Sequence, residues 1–334
     1  MDMVSPFDRT IFRLGRSRTT RFLPDCGKFG PNLVVSADCR PVPGCIMQSR
    51  RAVEFGGIML RKLMYAALAC VAFATPHAAR SEEVLDLGKL NDEQMTEAIN
   101  FVTGNAIFVL FHEAGHMLVS ELGVPVLGRE EDAVDALSSI LLLEAHDETL
   151  DQAITDSADG WFLASDKSAE NGDELAFWDS HGLDEQRAYQ MVCMMVGNDA
   201  EGFKQFADSI DFPQERREEC AVEYAQTAQS WMSLLAPYNR ADGKKADMKV
   251  TYEKVADEEL AAYASMIQSA GLLEVVRDVF AESYNLKDGI RVTAKACGQP
   301  NAFWHPGERE LTYCYELAQM HMTLIADYLL NKAE

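Results

Sequence analysis

None of the eight cysteines has a CxxC spacing and none clusters with histidine, so the chain carries no signature of a structural zinc knot. Basic charge is scarce over most of its length: residues 81–334 hold 18 Lys/Arg against 48 Asp/Glu, a net of −30. Such a surface repels nucleic acid and anionic lipid and argues against both as partners. Internal repeats and low-complexity tracts are missing as well. The apolar stretch Leu63–Ala74 is too short to span a membrane comfortably.

That short stretch has a different meaning. Met59 opens MLRKLMYAALACVAFATPHAARSEE, in which Arg61 and Lys62 form a basic start and small residues offer cleavage after Ala74 or Ala79. Residues 59–79 therefore read as a signal peptide. The expected destination is the periplasm or the cell exterior, with no membrane insertion after cleavage. Residues 1–58, with nine basic and five acidic side chains, are poorly patterned. They read as a spurious upstream extension in preference to a real basic, disordered tail. Ala67-Leu-Ala-Cys70 has a lipoprotein-like look, but the apolar run before Cys70 is very short.

Cysteine usage agrees with export. Cys26, Cys39, Cys45 and Cys70 precede the expected mature start, leaving Cys193, Cys220, Cys297 and Cys314. An even number in an exported chain points to two disulfides. Three pairings exist, and Cys193–Cys220 with Cys297–Cys314 is the local choice.

A working domain over 85–334 opens with a helix capped by Asn91, with Gln94 placed to close a capping box. Gly104 is expected to interrupt it, after which Ala106–Leu122 continues as a strongly apolar helix stopped by Gly123 and Pro125. Residues 130–146 form a second helix with Ala133, Leu137, Ile140 and Leu141 on one face. Trp161–Ala164 is a helix end or short strand, and Ser165–Asp173 a surface loop. Helices are expected over Leu183–Val196, Ala200–Asp208, Pro213–Leu235 and Glu258–Phe280, with a polar connector at Tyr238–Asp247. Met248–Tyr252 alternates as a strand; Ile290–Ala296 and Glu310–Tyr315 read as extended, with a tight turn around Asn301, Trp304 and Pro306. Tyr315–Leu330 closes the chain as a helix. The expected fold class is α+β, helix-rich, with a small sheet largely from the C-terminal third.

The apolar helix carries the chemistry, in FHEAGHMLVSELG at 111–123. His112 and His116 lie one turn apart on one face, so both imidazoles can reach one ion, while Glu113 sits beside them as a base toward water. A third ligand is needed, and Glu131 in GREEDAVD supplies it; Asp135, four residues on, can hold the outer nitrogen of a ligating histidine. Glu130 is the neighbouring alternative, disfavoured because only Glu131 has an acid four residues later. Ion pairs on exposed helices are common, but Phe108, Val109, Leu110 and Phe111 precede this motif. Burying His112, Glu113 and His116 there without partners would be costly, and a metal, Zn2+, resolves that cost.

The HExxH helix followed by ExxxD resembles the gluzincin type of zinc peptidase. PVLGREEDAVDALSS, FWDSHGLDEQRAYQMVC and CGQPNAFWHPGERELTYCYEL resemble a bacterial family of metallopeptidases of unknown function, over roughly residues 95–330. The resemblance implies a zincin-like fold, His112, His116 and Glu131 as zinc ligands, Glu113 as catalytic base, and a peptide or protein substrate. A donor to the developing oxyanion is also required. His181, with Asp179 two residues back to orient it, is the leading candidate; Arg187, Tyr189, His305, Tyr313 and Tyr315 are weaker ones. His146 reads as surface and His321 as helix packing. The competing reading of the whole chain is a non-catalytic zincin-like binding module, against which Glu113 argues, since a purely structural metal needs no base.

Overall fold

The computed structural model describes residues 87–332. The expected signal peptide, residues 1–58 and the four N-terminal cysteines lie outside the described residues.

Helix α1 (Asp92–Leu122) starts where Asn91 Oδ1 accepts the N–H groups of Glu93 and Gln94, both at 3.0 Å, and Gln94 Oε1 accepts the Asn91 N–H in return. It ends at Gly123. The expected interruption at Gly104 does not occur. The helix runs straight through, because this glycine marks a close crossing by α3 (Glu148–Asn171). A Cβ on Gly104 would stand 2.6 Å from Asp156 Oδ2 and 3.1 Å from Ala153 Cα. Since α1 is enclosed on most sides, its apolar residues show no single stripe. Phe108, Leu110, Phe111 and Met117 are fully buried, each contributing roughly 1.5–3 kcal/mol.

Helix α2 (Glu130–Leu143) packs on the C-terminal half of α1, and α3 crosses its N-terminal half. The end of α3 corrects the sequence reading: residues 165–171 are its last turns, and the loop starts only at Gly172. Besides Leu150 and Ile154 the buried residues of α3 are the small Ala153, Ser157, Ala158 and Gly160, which let it lie close against α1 but give only a faint apolar stripe in sequence. Helices α4 (Asp184–Asn198), α5 (Lys204–Ser209) and α6 (Gln214–Leu235) follow, and Cys193–Cys220 joins α4 to α6 with the Cα atoms 5.1 Å apart.

The C-terminal third is β1 (Met248–Tyr252), α7 (Glu258–Ala270), α8 (Leu272–Ser283), β2 (Ile290–Lys295), β3 (Ala302–His305), β4 (Glu310–Cys314) and α9 (Tyr315–Lys332). The single helix expected over 258–280 is two, because Gly271 adopts a left-handed φ of 65° and ends the first. The expected turn around Trp304 is instead strand β3. The sheet order is β1-β2-β4-β3, parallel except for β3, which runs antiparallel to β4 with Trp304 opposite Leu311. Cys297–Cys314 closes the segment before this hairpin. In the chain-entropy picture each disulfide stabilises by about 3 kcal/mol. The architecture is a helix-rich α+β fold with a small open sheet, and among the described residues no helix is long and apolar enough to cross a membrane.

Candidate metal centre and its cleft

Gly115, inside the HExxH turn, lets α2 approach α1: a Cβ there would lie 2.9 Å from Val134 Cβ. Glu131 thereby reaches both histidines. Its Oε2 is 3.2 Å from His112 Nε2 and 3.1 Å from His116 Nε2, and the two Nε2 atoms are 3.2 Å apart. The three donors form a nearly equilateral triangle. Each outer nitrogen meets its own carboxylate: His112 Nδ1 lies 2.7 Å from Asp135 Oδ1, and His116 Nδ1 2.7 Å from Glu130 Oε1. The adjacent glutamates thus divide the work, Glu131 facing the shared point and Glu130 the outside of His116.

Asp135 is fixed in turn by Arg187, whose Nε and Nη2 donate to it at 2.8 and 2.9 Å. The Arg187 guanidinium lies 3.7 Å over the Trp161 ring. Burial penalises the Asp135 charge, but hydrogen bonding to His112 and the Arg187 cation outweigh it and hold this carboxyl well below the usual range. Glu131 is also held far below it, by hydrogen bonds from His112, His116 and His181. Burial opposes protonation of His112, yet Asp135 and Glu131 prevail and raise it to about 9. His116 is raised for the same reason, by Glu131 and Glu130.

Glu113 is 8% exposed, and burial pushes its carboxyl upward. Its Oε2 accepts the backbone N–H of Trp304 at 2.7 Å. Two further ties bind this hairpin to α1: Trp304 Nε1 donates to Ser120 Oγ at 2.7 Å, and Arg309 grips Glu121 at 2.7 and 2.8 Å. Positions 113, 120 and 121 lie on one helix face, so β3 is held along α1 as one wall of a cleft of about 1040 Å³.

The opposite wall is the segment between α3 and α4. It brings His181 Nε2 to 3.1 Å from Glu131 Oε2, while Asp179 Oδ1 lies 3.1 Å from His181 Nδ1 and also accepts its backbone N–H. Arg129 Nη1 donates to the His181 carbonyl at 3.1 Å, tying this exposed turn to the start of α2. His181, Glu131 and His112 offer ligand atoms within 4.8 Å of one another. Of the three triangle residues His181 bonds only Glu131, and its ring stacks on that of His112 with the centroids 6.1 Å apart, so it stands beside the triangle.

The donor set fits a metal. Zinc bonds of about 2.0–2.2 Å in a tetrahedron imply donor–donor edges of about 3.3 Å, close to the observed triangle. With a metal bound, the outer carboxylates would hold each ring as its neutral Nδ1–H tautomer, with both Nε2 lone pairs facing the common point.

A family model, DUF4344, described as "Putative metallopeptidase", matches residues 74–235 and 252–333. The chain belongs to this family. Neither the curated proteins nor the solved structures gave a match. The metallopeptidase family match encloses the triangle, His181 and β3, and its gap falls on the connector and most of β1.

The weaker oxyanion candidates lie elsewhere or are engaged. Arg187 is committed to Asp135, and Tyr189 packs between Phe162 and Phe212. The Tyr315 hydroxyl donates to the Glu253 carbonyl, Tyr313 is wholly buried, and exposed His305 lies edge-on to Phe303. His146 is exposed; His321 is buried edge-on to Phe101, and burial lowers it to about 4. Cys297, Cys314 and Glu316 form a second group with metal-ligand atoms. Its sulfurs are joined as a disulfide and Glu316 accepts the N–H groups of Cys297 and Gly298, so it makes a poor metal site. The role of the Trp304 backbone N–H had no sequence signal at all, since every residue but proline carries that group. Arg187, read from the sequence as an oxyanion candidate, instead holds Asp135.

Proposed function

We propose that this metallopeptidase-family chain hydrolyses peptide bonds with zinc held by His112, His116 and Glu131, in a zincin-like arrangement. The observation that carries the reading is the triangle of Nε2, Nε2 and Oε2 atoms with buried Glu113 next to it on the same helix. Zinc bound there would supply Lewis acidity toward water and the scissile carbonyl. Glu113 takes the proton of the attacking water and returns it to the leaving amine. Its burial, by raising its pKa, makes it a better acceptor. The Trp304 N–H holds one of its oxygens and so aims the other. His181, oriented by Asp179, donates to the oxyanion as the tetrahedral carbon forms. Asp135 and Glu130 keep the two ligating rings in register.

The β3 edge offers an extended substrate its unpaired side. Cys314 N–H donates to the Asn301 carbonyl, so strand alternation turns the backbone groups of Ala302 and Trp304 away from β4; their N–H groups are taken by Asn301 Oδ1 and Glu113, which leaves the two carbonyls to accept from a substrate. The two disulfides support an exported, periplasmic or secreted protein.

Glu113→Gln tests the proposal. The variant is expected to keep its zinc and its circular dichroism spectrum while losing at least about a hundredfold in cleavage of an unstructured protein that a chelator protects from the wild type. Wild-type rates in the variant would remove Glu113 as the base. A zinc-loaded wild type that cleaves nothing in a broad peptide library would move the reading to a non-catalytic binding module.

A further inference from the structure

The cleft carries more negative charge than its chemistry needs. Glu113, Glu130, Glu131 and Asp179 are each engaged by a backbone N–H or an imidazole. Asp173, Glu174, Asp184 and Glu185 also line it, and no ion pair engages any of them among the described residues. Among the described residues Arg187 is the one Lys/Arg of the lining, and it is committed to Asp135. Three of the four spare carboxylates are exposed; Asp184 is half-buried, and that burial outweighs the charges of Arg187 and His181 in raising its pKa.

The same wall presents unburied apolar surface. Leu175, which lines the cleft, is 57% exposed, and Phe177 and Trp178 in the following turn are 78% and 85% exposed. Large aromatics this open on a folded chain mark a contact surface. The occupant that satisfies both features carries cations and apolar groups together, and aromatic faces also attract lysine and arginine. The facing wall is the outward side of β3, where the Ala302 and Trp304 carbonyls are placed to accept from an extended backbone.

We propose that the cleft selects cationic amphipathic peptides, binding an extended segment on β3 with its lysines or arginines against Asp173, Glu174, Asp184 and Glu185 and its apolar residues on Leu175, Phe177 and Trp178. This rests on the peptidase reading for its catalytic outcome but not for its binding outcome. Exposed carboxylate–cation pairs are individually weak, so selectivity arises from several acting together and is screened by salt.

The test uses the zinc-loaded full chain and one extended peptide scaffold with Lys, Gln or Glu at alternate positions. The Lys peptide is expected to exceed the Gln peptide by about tenfold in kcat/KM at low salt, the ratio falling toward one near about 0.5 M salt. The fourfold variant Asp173→Asn, Glu174→Gln, Asp184→Asn, Glu185→Gln should collapse that ratio. If it fails to fold, Glu174→Gln with Glu185→Gln, both at exposed positions, should reduce it severalfold. Phe177→Ser with Trp178→Ser should weaken binding of amphipathic Lys peptides more than of Lys peptides lacking apolar residues. A wild-type ratio near one, or one unchanged in the folded variants, overturns the inference while leaving peptidase activity standing. Salt-sensitive binding of the Lys peptide without cleavage overturns the peptidase reading and keeps the inference. Neither binding nor cleavage overturns both.

Discussion

Three imidazoles approach one oxygen of Glu131, but two are helix-borne and one sits on an exposed turn. His112 and His116 are spaced by the helix repeat, packed among Phe108, Phe111 and Met117, and each is gripped from behind by a carboxylate. His181 is held by Asp179, two residues away, and by the bond from Arg129 to its carbonyl. Helix geometry positions the first pair with little further help. The turn depends on a few exposed polar bonds, which are weaker and more easily opened. A metal ligand gains from rigidity, whereas a group that meets a substrate oxygen gains from a place on the cleft's open side.

Removing a ligand should produce the largest effect. His112→Ala or His116→Ala is expected to reduce bound zinc from about one per chain to below about a tenth, measured by elemental analysis after dialysis. His181→Ala should keep the zinc and lower kcat by about 100–1000-fold with little change in KM. Loss of zinc in that variant would place all three imidazoles in one class and break the comparison.

Asp135→Asn leaves a neutral group behind His112 and beside Arg187, and about 10–100-fold weaker zinc binding is expected by competition with a chelator. Arg129→Ala should be milder, lowering kcat severalfold while zinc affinity stays unchanged, because it releases the turn and not the helices.

The smallest effect sharpens the contrast from the other end of α1. Asp156 is partly buried at the Gly104 crossing with the Gln152 amide on its carboxylate, and burial raises its pKa from 3.8 to about 7. The folded state therefore keeps this proton up to about pH 7, whereas the unfolded chain loses it near pH 4. Its contribution to stability is greatest below the unfolded value, falls as pH rises between the two, and is lost above about 7. Asp156→Asn should stabilise by about 1–3 kcal/mol at pH 8, after discounting for partial exposure, and leave stability near pH 4 unchanged in urea titrations. Asp135 is buried more deeply yet behaves oppositely, because it faces Arg187 and His112 while among the described residues no cation acts on Asp156.

Much of the helical frame was legible because its signals are local. Asn91 and Gln94 mark the start of α1, Gly123 its end, and Met248–Tyr252 alternates as a strand should. Where neighbours decided, the pattern misled. Gly104 looked like a break and is a helix crossing, residues 165–171 looked like a loop and are helical, and Trp304 looked like part of a turn and lies in an edge strand. Both disulfides joined the sequence-local partners, Cys193–Cys220 across α4 and α6, which pack together, and Cys297–Cys314 from the segment before β3 to the end of β4.

By itself the sequence determined which face of α1 carries His112 and His116, that Glu113 stands beside them, and that Glu131 and Asp135 share a face of the next helix. Those relations follow from 3.6 residues per turn and hold wherever the helices go. Tertiary structure alone decided that Glu131 meets the two Nε2 atoms while Glu130 takes the outer nitrogen of His116, that His181 crosses to the same oxygen, and that a backbone N–H of β3 holds Glu113. Each of these contacts joins segments 14 to 191 residues apart. Their distances are set by how closely packed side chains let helix, turn and strand approach, and no local repeat encodes that approach.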